Sequence, residues 1–169
     1  IMLLQFYKYQ GTGNDFVITI DIFDLSTEQI QALCDRKYGI GSDGLIVMKK
    51  ESKYDFEMMY YNADGSESFC GNGSRCAVMH AKSIGWITNE CTFGSNDGPH
   101  EARIEDAIVF LKMHNVDMVL VEDEGYMLNT GSPHYIAYTE ELDALDLIEA
   151  AHAIRYSERF EETGINVNY

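Results

Sequence analysis

Between Tyr60 and Ala81 the chain reads Y-Y-N-A-D-G-S-E-S-F-C-G-N-G-S-R-C-A-V-M-H-A, and this stretch leaves few folds open. It continues the alternation of Phe56, Met58 and Tyr60 against Glu57, Met59 and Tyr61, a two-residue period that belongs to a strand with two unlike faces. After the turn residues Asp64-Gly65 the period changes, and Cys76, Ala77, Val78 and Ala81 follow helical spacing, with Gly85 as a stop after about Ser83. Such a strand delivers Asn62 to a turn and then enters a helix through Cys70-Gly71-Asn72-Gly73. A thiol at that junction faces unpaired N–H groups and the positive end of the helix dipole, so a stabilised thiolate is expected at Cys70. The alternative for any free cysteine is a small buried apolar side chain. Gly71 and Gly73 favour the reactive reading, because they let backbone approach a ligand and aim N–H groups at a carboxylate.

The rest of the chain reads as short strands with few helices. Met2 to Tyr7 alternates weakly, the polar run Gln10 to Asp15 forms a glycine loop, and Phe16 to Ile20 is a β-branched strand. No helix follows that loop, which excludes a dinucleotide-binding strand-loop-helix unit. Ser26 and Gln29 form a capping box, and Ile30, Leu33 and Cys34 share one face of a helix that Gly39 ends. Cys34 therefore belongs to the core. A second glycine loop, Gly39 to Gly44, precedes the strand Leu45 to Met48. Strands are expected at Glu90–Phe93, Ala102–Ile104, Ile108–Met113, Met118–Val121 and Tyr126–Asn129, the first two joined through Asn96-Asp97-Gly98-Pro99. Leu142 to Ile154 reads as one amphipathic helix through Leu145, Ile148, Ala151 and Ile154. This mixture of strands and a few helices is an α+β fold.

Charge narrows the partners. Twelve basic residues against twenty-eight acidic ones give −16, a field that repels nucleic acid and anionic membrane surfaces. No stretch is apolar for the ~20 residues of a membrane span. The four cysteines, Cys34, Cys70, Cys76 and Cys91, contain no C-x-x-C pair and are too sparse for a disulfide scaffold, so reduced thiols in the cytoplasm are expected. No metal site is expected: the Cys76 and His80 pair lacks further ligands, and Glu122-Asp123-Glu124 and Glu140-Glu141 read as solvated charge. Cys76 and His80 are both assigned to the helix packing. Ile1, standing before Met2, is set aside from fold reasoning.

At N-A-D-G-S-E-S-F-C-G-N-G-S-R-C, with Gly11-Thr12-Gly13-Asn14-Asp15-Phe16, the chain resembles the diaminopimelate epimerases. Further pieces in the same order are Leu33-Cys34-Asp35-Arg36, Gly39 to Leu45, Asp97 to His100, Gly131 to His134, Ser157 to Phe160 and Asn166 to Asn168. The resemblance implies two lobes, each a curved sheet around a central helix, at residues 1–115 and 116–169, the second incomplete. It implies a pyridoxal-independent isomerase of lysine biosynthesis that needs no cofactor and interconverts LL- and meso-diaminopimelate. Two cysteines flank the α-carbon in that family, and Cys70 matches the one that removes a proton as thiolate. Substrate contacts carry over at Asn14, Asn62, Gly71, Asn72 and Asn166, and His134 matches a histidine near the catalytic thiol, expected here to tune that thiol rather than to act as a base. A homodimer is compatible with this reading.

Departures accompany the match. Ser132 stands where the family has asparagine, the run from Asn62 to Cys70 is shorter, and residues are missing between Ile20 and Leu25. The sequence stops at Tyr169, before the second catalytic cysteine, so this polypeptide alone is expected to be poorly active or inactive. The alternatives are a racemase of proline-like substrates from the same superfamily, against which the N-A-D-G-S-E run speaks, or an inactive ligand-binding fragment.

Overall fold

The structure, a computed structural model, describes residues 4–20, 24–122 and 125–169. Outside them lie Ile1, the start of the expected Met2–Tyr7 strand, most of the segment between Ile20 and Leu25, and Asp123-Glu124 of the acidic run. The chain divides into two compact units, Ile1–Lys112 and Met113–Tyr169.

The first unit is a seven-stranded sheet in chain order: β1 (Tyr7–Gly11), β2 (Asn14–Thr19), β3 (Gly44–Lys49), β4 (Phe56–Asn62), β5 (Glu90–Ser95), β6 (Gly98–Glu105) and β7 (Ile108–Lys112). Neighbours are antiparallel except β2 with β3 and β4 with β5. Those two parallel steps need crossovers, supplied by α1 (Thr27–Cys34) and α2 (Gly71–Ser83). The helix α2 touches both edge strands, β1 and β7, as well as β2, β3 and β4. The sheet therefore curves around it as a half-barrel.

Strand alternation sorts the side chains onto the two faces. Phe16, Ile18, Ile46, Met48, Phe56, Met58 and Tyr60 point to α2 and form its core with Cys76, Ala77, Val78 and Ala81. Val17 and Leu45 point the other way, onto Ile30 and Cys34 of α1. Small residues at Gly73, Ser74, Ala77 and Ala81 give α2 the slim, buried surface that an enclosing sheet demands. At its far end Trp86 N–H donates to Ala81 O at 2.8 Å and Gly85 N–H to Lys82 O at 3.0 Å, with Gly85 left-handed at φ +74, the Schellman stop expected from Gly85.

Both halves of the capping box are present: Gln29 N–H donates to Ser26 Oγ at 3.4 Å, and Ser26 N–H to Gln29 Oε1 at 2.8 Å. Ser26→Ala is expected to cost about 1 kcal/mol in urea unfolding of the full-length protein. That helix ends at Cys34 rather than Gly39, because Asp35 turns extended and its carboxylate accepts the N–H groups of Lys37 and Tyr38. The first glycine loop also shrinks. β1 and β2 run through Gln10-Gly11 and Asn14-Asp15, leaving the turn Thr12-Gly13 with φ +56 and +87, a hairpin geometry that matches strand twist. Likewise β6 already begins at Gly98, so Pro99 lies in a strand rather than a turn.

The second unit is a four-stranded sheet ordered β11-β10-β9-β8, with β8 at Val119–Glu122, β9 at Gly125–Asn129, β10 at Pro133–Ile136 and β11 at Asn166–Asn168. The parallel step from β10 to β11 is bridged by α3 (Leu147–Arg155), which packs on β11. Tyr135, Ala137, Phe160 and Ile165 form its core. The expected helix from Leu142 to Ile154 is broken. A single 3-10 turn covers Leu142–Ala144, Leu145 is extended, and Asp146 starts α3 afresh by accepting Glu149 N–H at 3.0 Å. A capping carboxylate inside an apolar period overrides the period.

Candidate active site

Cys70 is the N-cap of α2, extended at φ −134, and its Sγ accepts Gly73 N–H at 3.3 Å. The backbone of Asn72, the Tyr60 hydroxyl and the Arg75 guanidinium also favour the charged form of this sulfur. On the remaining side the thiol donates to Asn14 Oδ1 at 3.8 Å. The helix-entry geometry expected from the sequence is therefore present, but its electrostatic consequence differs. Burial against the core around α2 pushes the Cys70 thiol up, and the opposing donors do not overcome it. The free site holds a thiol rather than the expected thiolate.

The other cysteines are buried and lack this set of donors. Burial raises Cys76 to about 11 and Cys91 to about 12. Cys34 is also raised, with Ser42 Oγ donating to it at 3.4 Å. His80 is fully buried as expected, with Nδ1 against Tyr9 Oη at 3.2 Å. Its Nε2 has no hydrogen-bond partner among the described residues, and burial holds the ring neutral.

Asn62 ends β4 beside the same group of side chains. Its Nδ2 donates to Ser66 Oγ at 3.0 Å and Ser68 Oγ at 3.1 Å, and its Oδ1 accepts the Tyr60 hydroxyl at 3.1 Å. One amide thus ties the turn after Asp64-Gly65 to the Tyr60 hydroxyl. Asn14 leads into β2, and its Nδ2 donates to Asp43 Oδ2 at 2.8 Å. Asp43 also accepts Arg36 at 2.7 Å, and Arg36 bonds Asp15 at 2.7 Å. Arg36 first, then Lys8, hold the Asp15 carboxyl well below the usual carboxylate range.

Within the first unit, then, Asn14 meets Cys70 at the entry of the helix that begins with Gly71 and Asn72, while Asn62 holds the Tyr60 hydroxyl. Two members of this arrangement were not singled out by sequence reasoning. Tyr60 reads only as the apolar face of a strand, and Asp43 as one residue of a glycine loop; the sole local signal was Asp43's place beside Gly44 in a conspicuous loop.

Asn166 lies in the second unit on β11, donating to Pro133 O at 3.2 Å and Ser132 Oγ at 3.4 Å. Asn168 donates to His134 Nδ1 at 3.1 Å, which places the ring proton on Nε2, facing Ser132 Oγ at 3.3 Å. Burial keeps His134 neutral. Of the remaining acidic residues, Glu122 is held by Arg159 at 2.9 and 3.0 Å. No helix among the described residues is long and apolar enough to cross a membrane.

Known proteins resemble this chain in sequence and in fold. The curated diaminopimelate epimerase of Flavobacterium psychrophilum is 45% identical over 98% of this chain and 67% of its own length. That of Chlorobaculum tepidum is 37% identical over 94% of this chain and 66% of its own. The chain thus spans about two thirds of the length of these relatives. A crystal structure of a hydroxyproline epimerase from Agrobacterium vitis shares the fold, with a TM-score of 0.63 at 14% identity over 90% of this chain and 58% of that one. Residues 6–119, which carry the Cys70 junction, Asn14 and Asn62, match the family described as diaminopimelate epimerase, and the chain belongs to that family.

Proposed function

We propose that the protein containing this chain interconverts LL- and meso-diaminopimelate without a cofactor, as a step of lysine biosynthesis in the cytoplasm. The observation that carries this reading is the Cys70 sulfur seated on the first turn of α2, with Gly73 N–H at 3.3 Å. A base or acid for α-proton transfer has to sit beside donors that can hold the substrate's carboxylate as charge develops on the α-carbon. The N–H groups of Gly71 and Asn72 supply such donors at the positive end of a thirteen-residue helix. Asn14 and Asn62 suit a ligand that carries both ammonium and carboxylate, because each amide both donates and accepts. We take the lobes to divide near residue 115.

Inversion needs a thiol on each face of the α-carbon, one taking a proton as thiolate while the other gives one. Cys70 is one of the pair. In its protonated resting form it is ready to deliver a proton; acting as base, it first has to give that proton up to solvent, and the Gly73 N–H at 3.3 Å, with the Arg75 guanidinium nearby, then bears the sulfur's charge. The test is to incubate the full-length protein with LL-diaminopimelate in deuterated water. Meso product carrying deuterium at the α-carbon is expected, and absence of both product and label would sink the reading.

A further inference from the structure

An asparagine amide has an acceptor at one end and donors at the other, and the end of Asn14 that faces Cys70 decides how it acts on the sulfur. Asp43 settles which end that is. Its Oδ2 receives Asn14 Nδ2 at 2.8 Å and Asp15 N–H at 3.0 Å, and its Oδ1 receives Arg36 at 2.7 Å. An ionised carboxylate only accepts hydrogen bonds, so the group of Asn14 that meets it has to be the NH2. The carbonyl oxygen is left pointing at Cys70 Sγ, 3.8 Å away.

We propose that Asp43 is a positioning residue that locks the Asn14 carbonyl toward Cys70, making Asn14 an acceptor for the ammonium group of the amino-acid substrate and barring its NH2 from the sulfur. This rests on the epimerase reading of the site. In the free protein the S–H uses that acceptor; when the ammonium group takes it, the thiol loses its partner beside the α-carbon. Arg36 keeps Asp43 in place through a pair of bonds that also holds Asp15, which ties the device to the loop between α1 and β3. The other charged or titratable groups facing Cys70 are Tyr60 from β4 and Arg75 and Cys76 from α2.

Asp43→Asn is the direct test, since an amide at 43 can donate to Asn14 Oδ1 and let that side chain turn over. The rate of Cys70 alkylation by iodoacetamide, followed against pH by peptide mass in the full-length protein without substrate, is expected to shift its midpoint down and rise several-fold at neutral pH. In an Asn14→Leu background the same substitution is expected to shift nothing further. An equal shift in both backgrounds would show a bare charge effect and overturn the proposal, as would no shift in the parent. KM for diaminopimelate is expected to rise about tenfold with a smaller change in kcat, the loss of one hydrogen bond to a charged group. An unchanged KM would overturn the ammonium-acceptor part. Because the alkylation arm uses no substrate, its outcome is separate from whether the wild type epimerises. If the variants do not fold, the side-chain NH2 resonances of Asn14 in the wild type serve instead. Held on Asp43, they keep their positions as Cys70 titrates, and a swing toward the thiolate overturns the lock.

Discussion

Cys70→Ala in the full-length protein is expected to lower α-proton exchange into diaminopimelate by about 10²–10⁴-fold, the range general acid–base groups contribute. The helix entry and its N–H groups remain in this variant, so substrate binding survives better than exchange. Cys76→Ala makes the contrast. Cys76 lies six residues on but 5% exposed inside the α2 core, with burial pushing its thiol up to about 11. Its loss is expected to cost about 1 kcal/mol in chemical unfolding and to leave exchange within about twofold. Comparable exchange in wild type and Cys70→Ala would remove Cys70 from the reaction. The raised thiol also predicts that alkylation of the free protein climbs above the pH where an ordinary cysteine, near 8.5, ionises. Reading the helix dipole alone predicts the opposite.

That reversal shows what kind of feature a sequence carries. The capping box at Ser26 and Gln29, the Gly85 stop and the alternation Phe56, Met58, Tyr60 are local, and each formed where the residues place it. The donors around Cys70 are local too. The burial that outweighs them comes from strands far away in sequence, and no spacing rule reports it. Asp43 acts on Asn14 from twenty-nine residues away, across the β2–β3 pairing, so its role is invisible until the strands are registered. The misread helix at Leu142–Ile154 failed for a different reason. Its apolar period is real, but Ile148 is 69% exposed and Asp146 caps a new start, so local capping beat a pattern with too little core to enforce it.

Gly44→Ala is expected to be the most damaging single methyl that can be added near the site. A Cβ there would lie 2.5 Å from Tyr60 Cε2, 2.8 Å from Tyr60 Oη and 2.6 Å from Tyr61 O. The backbone oxygen cannot retreat without breaking the β3–β4 ladder, in which Gly44 pairs with Asn62. The Tyr60 ring is 4% exposed and packed edge-on against Phe16 at 5.9 Å, so it has nowhere to swing. Crowding of this kind typically costs about 1–3 kcal/mol, and here it acts on backbone and ring together. Whatever relief the protein finds must move the Tyr60 hydroxyl away from Asn62 and Cys70. Exchange is therefore expected to fall by about tenfold, roughly one hydrogen bond to a charged sulfur, alongside the loss of stability in urea. Gly85→Ala separates the two effects: it has open space but a left-handed φ of +74, so it is expected to cost about 1 kcal/mol of strain at the far end of α2 and leave Cys70 alkylation unchanged. If Gly44→Ala unfolds at the wild-type urea concentration and reacts at the wild-type rate, Tyr60 is not held by Gly44 and contributes nothing to the sulfur.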